Sequence, residues 1–96
     1  MLSMQDIVKL QKYARENNLK IVIYLKKSRY RIQISNFIHA LDPEGKVTEW
    51  SRAFGSQTPS DVLQSHGISR VEIRYSDGST KNLSPKDLKS LVKALP

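Results

Sequence analysis

The stretch Lys20-Ile21-Val22-Ile23-Tyr24-Leu25-Lys26-Lys27-Ser28-Arg29-Tyr30-Arg31-Ile32-Gln33-Ile34-Ser35 decides the fold. Two alternating runs flank Lys27-Ser28. In the first, from Lys20 to Lys26, Ile21, Ile23 and Leu25 point one way, and Val22 and Tyr24 the other. β-branched and aromatic residues suit such a pleated surface. The second strand runs from about Arg29 to Ala40. It puts Tyr30, Ile32, Ile34 and Ile38 on one face and Arg31, Gln33, Ser35, Phe37 and His39 on the other, unless a bulge near Asn36 resets the phase. With Lys27-Ser28 as the turn, Leu25 faces Tyr30, Ile23 faces Ile32 and Ile21 faces Ile34. The apolar faces coincide, which is the register test a hairpin must pass. Lys-Ser lacks the Gly or Asn of the tightest hairpins, and a four-residue loop keeps the same parity.

The other face of this hairpin carries Lys20, Val22, Tyr24, Lys26, Arg29, Arg31, Gln33 and Ser35. Tyr24 lies opposite Arg31, and Lys26 opposite Arg29. Like charges facing across a ladder cost stability, and an arriving anion reverses that cost. A tyrosine flanked by arginines can stack a base while a guanidinium holds phosphate. Lys26-Lys27-Ser28-Arg29 at the tip can reach into a groove. Lys9 and Lys12, three positions apart on the preceding helix, extend the same basic surface in this reading. These residues form the candidate nucleic-acid-binding set.

Outward from the hairpin, the pattern is α-helical at both ends. Ser3 caps a helix from about Met4 to Asn17, with Ile7, Leu10 and Ala14 as its apolar stripe and Val8 and Tyr13 as further candidates for it. Asp42-Pro43-Glu44-Gly45 is a turn, followed by a third strand from Lys46 to about Phe54. Trp50 alternates there with Thr48 and Arg52. It reads as core, and on an open face it becomes a second stacking site. Thr58-Pro59-Ser60-Asp61 starts a short helix closed by Gly67. Ser69 to Tyr75 is a fourth strand, Asp77-Gly78 a hairpin turn, and Ser79 to Leu83 a fifth strand of open register: Lys81 opposite Arg74, or Leu83 opposite Val71. Ser84-Pro85-Lys86-Asp87 starts a helix lasting nearly to Leu95. The expectation is one α+β domain over residues 1–96, ordered α-β-β-β-α-β-β-α. Its antiparallel sheet has four to five strands, with an N-terminal, a short middle and a C-terminal helix.

At 96 residues the chain carries a net charge of +7. Residues 1–31 contribute +6, residues 32–80 contribute −2 and residues 81–96 contribute +3, and no acid lies between Glu16 and Asp42. Such a field attracts polyanions; solubility alone is the plainer use of the same charge. Cysteine is absent, which excludes disulfides and thiolate metal sites and fits a reducing compartment. No run approaches the roughly 20 apolar residues of a membrane span, and Met1-Leu2-Ser3-Met4-Gln5-Asp6 lacks a signal-peptide pattern. A cytoplasmic protein without membrane contact is expected. His39 and His66 stand far apart in sequence, and the four glycines form no phosphate loop. No metal, no cofactor and no catalytic set is therefore expected, and the chain reads as a binding protein rather than an enzyme.

The opening α-β-β-β-α order resembles the double-stranded-RNA-binding domain. That family relies on a lysine cluster at the start of its second helix, where this chain has the acidic Thr58-Pro59-Ser60-Asp61, so the resemblance transfers no site residue. Leu83-Ser84-Pro85-Lys86-Asp87-Leu88 is similar to the strand-to-helix end of the single-strand-binding transcriptional coactivator family, through shared capping chemistry. No family is assigned. Two functions stay open: nucleic-acid binding through the basic hairpin face, or a small protein-interaction or inhibitor module, of the kind mobile elements carry. The second would dock through a sheet edge or an exposed Trp50–Phe54 patch. A homodimer through a sheet edge is compatible with either.

Overall fold

A computed structural model describes residues 2–96, and Met1 lies outside them. Four helical segments accompany six strands: α1 (Met4–Glu16), β1 (Leu19–Leu25), β2 (Arg31–Ile34), β3 (Ile38–Leu41), β4 (Val47–Thr48), α2 (Trp50–Phe54), α3 (Pro59–His66), β5 (Ile68–Tyr75), β6 (Thr80–Leu83) and α4 (Pro85–Ala94). The strands form one antiparallel sheet in the order β4-β3-β2-β1-β5-β6. The central strand β1 therefore has β2 on one side and β5 on the other. Among the described residues no helix is long and apolar enough to cross a membrane.

The α+β class and the expected succession of elements hold, with six strands in place of four or five. The extra strand comes from the segment after Arg29. Ser35-Asn36-Phe37 is a turn, in which the Ser35 N–H donates to the Phe37 carbonyl at 3.0 Å. The chain reverses there and splits the expected long strand into β2 and β3. Ile34 pairs with Ile38 across this turn, so the apolar parity survives the reversal.

The expected third strand stops at Thr48, and Trp50 begins α2 instead. Trp50, Ala53 and Phe54 are spaced three and four apart, which is a helical face, and reading Thr48, Trp50 and Arg52 at period two missed it. The Trp50 and Phe54 rings meet at 4.8 Å between centroids. The Trp50 indole N–H donates to the Gln57 carbonyl at 2.8 Å. Phe54 is buried and Trp50 is packed against the same core. The alternative of an exposed Trp50–Phe54 patch is thereby corrected: both rings face inward.

All the helices sit on one side of the sheet. Reciprocal capping boxes start α1, α3 and α4, through Ser3 with Asp6, Thr58 with Asp61 and Ser84 with Asp87. Each box satisfies amide groups that a helix start otherwise leaves open. The apolar stripes (Ile7, Leu10 and Ala14; Val62 and Leu63; Leu88 and Val92) join a single core with Ile21, Ile23, Leu25, Ile32, Ile34, Val71 and Ile73. The register explains the sharing: Ile21 pairs with both Ile34 and Ile73, and Ile23 with both Ile32 and Val71. Leu83 pairs with Val71, which selects the second of the two registers open to the last hairpin.

Candidate functional site

With every helix on the core side, the other side of the sheet has no second layer among the described residues. Its residues fall into three rows across the strands, each row fixed by pairing. The first runs Val47, Leu41, Arg31, Tyr24, Arg70; the second runs His39, Gln33, Val22, Glu72, Asn82; the third contains Lys20, Arg74 and Thr80. Lys20, Arg31, Arg70 and Arg74 face a single carboxylate, Glu72, so the surface carries a surplus of three positive charges.

Tyr24 stands at the centre of the first row. Arg70 from β5 and Arg31 from β2 flank it, with guanidinium carbons 3.7 Å and 4.7 Å from the ring centroid. At such distances the ring quadrupole attracts the cations. Glu72 accepts from Arg74 Nε at 2.6 Å and lies 4.0 Å from Arg70 Nη1. That hydrogen bond holds the Arg74 guanidinium still more firmly in its charged form, with a smaller contribution from the Tyr24 hydroxyl. Arg70 also donates to Asn82 Oδ1 at 3.3 Å. Arg31 donates to the Pro43 carbonyl at 3.0 Å. The Asp42–Lys46 turn is built for that contact: Asp42 Oδ1 accepts from the Glu44 and Lys46 amides, both at 2.9 Å. Gly45 sits at φ +87°, and a Cβ there would lie 3.2 Å from Arg31 Nη1. Among the described residues neither Arg31 nor Lys20 has a carboxylate within 4.0 Å; the ion pairs are Arg70–Glu72, Arg74–Glu72 and Lys46–Glu44.

The structure brings Lys20, Tyr24 and Arg31 together on this side, in the register the sequence implies: Tyr24 pairs with Arg31. Arg29 joins them at the loop, lining a hollow of about 390 Å³ with Tyr24, Tyr30, Arg31 and Pro43. Other members of the expected set lie elsewhere. Pairing ends at Arg31, so Lys26 and Arg29 do not face each other across a ladder. The loop is instead tied towards β5, its Lys26 and Lys27 amides donating to Gly67 and His66 carbonyls at 3.0 and 3.2 Å. The Lys26 stem lies over Gly67 and borders a groove with Leu63 and Lys89 on the helix side. Lys27 is exposed at the loop tip. Gln33 is only 8% exposed, packed in the middle row between Val22 and His39, and offers a ligand little surface. Lys9 and Lys12 are exposed on α1, whose Ile7, Leu10 and Ala14 face the core; they belong to the helix layer, on the opposite side of the molecule from Tyr24.

Arg70 and Arg74 are functional candidates that the sequence reading passed over. Their signal was present: with Val71, Ile73 and Tyr75 on one face of a strand, Arg70, Glu72 and Arg74 occupy the other. What was missing was the neighbour relation of β5 to β1, which alternation within a strand cannot reveal. Comparison with protein families, with curated proteins and with solved structures gave no match.

Proposed function

We propose that this protein binds nucleic acid through the helix-free side of its sheet, with Arg31, Arg70, Arg74 and Lys20 engaging phosphates. The observation that supports this reading most is the pair of guanidiniums fixed on either neighbouring strand of Tyr24. Arginine presents a planar donor fork suited to phosphate, and a ring beneath it limits the entropy lost when it binds. Tyr24 acts as a post that aligns Arg70 and Arg31, rather than as a free stacking surface, because Arg70 already lies 3.7 Å from its ring centroid. A phosphate track of this kind contributes affinity that falls steeply with salt.

The test is fluorescence anisotropy of labelled single- and double-stranded DNA and RNA, across a range of salt. The Arg31→Ala/Arg70→Ala variant is expected to weaken binding by about 150-fold, at about 1.5 kcal/mol for each of the two lost charged contacts. It should also flatten the slope of log affinity against log salt by about 1.4 to 1.8, near 0.7–0.9 per phosphate contact. Binding that the double variant leaves intact would remove the reading.

A further inference from the structure

We infer that Phe37 and His39 form a base-stacking platform beside the arginines, and that the ligand of this surface is therefore single-stranded nucleic acid. The inference rests on the nucleic-acid reading above and adds to it the residues that touch bases. Phe37 is 68% exposed, more than any other large apolar side chain among the described residues. It is not a loose tip. Both the amide and the hydroxyl of Ser35 donate to its carbonyl, at 3.0 and 3.4 Å, and Gln11 Nε2 donates to the Asn36 carbonyl at 2.7 Å. The last bond ties the turn to α1. A benzyl group held in water by a braced turn offers an open, positioned ring face.

His39, on the helix-free side by its pairing with Gln33, lies 6.1 Å from Phe37 between ring centroids, at 55°. That contact places Phe37 over the same side as the arginines. A groove of about 450 Å³ then leads from Lys20 and Arg74 past Ser35 to Asn36, the neighbour of Phe37. β3 stands two strands from β1, which is about 10 Å at the usual strand spacing. Phosphates on the cations thus leave bases within reach of the platform. Tyr24 cannot serve in this way, since a guanidinium occupies its ring. A duplex hides its base faces in the stack, so an exposed ring adds affinity only for unpaired bases.

The experiment compares Phe37→Ala, Phe37→Tyr and the Arg31→Ala/Arg70→Ala variant. The probes are labelled oligothymidine, an abasic oligomer with the same number of phosphates, and a duplex of equal length. Thermal unfolding of each variant separates a loss of binding from a loss of fold. Phe37→Ala is expected to weaken oligothymidine binding by about 5- to 150-fold, the range for one lost base stack. The abasic and duplex probes should be unaffected, and Phe37→Tyr should bind as wild type does. Wild-type affinity of Phe37→Ala for oligothymidine would overturn the platform, and so would an equal loss on all three probes. If the arginine variant still weakens every probe in those cases, the phosphate reading stands without the platform. Absence of wild-type binding to any probe would overturn both.

Discussion

The two sides of this sheet solve the burial of one strand differently. On the helix side Ile21 and Ile23 are sealed by a second layer. On the other side Val22 is equally inaccessible, at 0% exposure, yet no helix lies over it. Its cover comes from its neighbours in the rows: Gln33 and Glu72 beside it, and the long side chains of Tyr24, Arg70 and Arg74 around it. Such side chains bury their stems and keep their charged heads in water. A sheet side can thus be dry at its base and strongly charged at its rim. The arginines here therefore have two tasks, covering apolar surface and presenting charge. Their removal tests both.

Truncating each side of β1 in turn sharpens this comparison most. Ile23→Ala is expected to cost about 2–5 kcal/mol, because the sealed core cannot collapse into the cavity. Val22→Ala should cost nearer 1.5 kcal/mol, about 0.8 kcal/mol for each of two lost carbon groups, since the flexible side chains above it can settle. Urea unfolding followed by circular dichroism measures both. Equal losses would mean that the side chains on the helix-free side form a rigid layer, and the contrast between the faces would disappear.

That contrast also marks how far the sequence could be read. Alternation in Ile21–Leu25 and Ile32–Ile34 was enough for the hairpin register, because a one-residue slip would expose every isoleucine. The three helix starts were legible for a local reason, Ser or Thr three residues before Asp. Local signals failed where a distant contact decides. Trp50 and Phe54 are helical because their rings pack together against the core. The Lys26–Arg29 pair never forms because the loop bonds to Gly67 and His66, and Gln33 is buried because β1 and β3 flank it in a row that runs across five strands. The site was half legible for the same reason. Tyr24 and Arg31 share a hairpin, whereas Arg70 and Arg74 reach them through a β1–β5 pairing separated by some forty-odd residues of intervening chain.

Acid should reach the helix layer through its capping boxes. Asp6 and Asp87 have their carboxyls held below the ordinary value of 3.8 by hydrogen bonds from the Ser3 and Ser84 ends of their capping boxes, and Asp77 by those from Ser79. A folded value below the unfolded one means that the unfolded chain binds more protons. The stabilisation is therefore complete above the ordinary value and is lost as pH falls through the lower, folded ones. The helix layer is expected to loosen over that interval, while the guanidiniums opposite keep their charge. Urea midpoints measured from about pH 5 down to pH 2 should decline less steeply in Asp6→Asn/Asp87→Asn than in wild type. An unchanged slope would show that acid lability arises elsewhere.

The smallest effect is expected from the lysines of α1, and it is the sharpest test of sidedness. Lys9→Gln/Lys12→Gln removes two positive charges, the same number as Arg31→Ala/Arg70→Ala, so both variants lower the net charge from +7 by two. Only location separates them. A helix is about 10 Å across, so charges on the outer face of α1 lie beyond a Debye length of about 8 Å from the far side of the sheet at physiological salt. Affinity for labelled nucleic acid should therefore change by less than about twofold at that salt, with a larger loss only when salt is lowered and screening weakens. A loss matching that of the arginine variant would place the ligand against the helix layer. The positive charge would then act as a property of the whole molecule, and the division of labour between the two sides of the sheet would have to be abandoned.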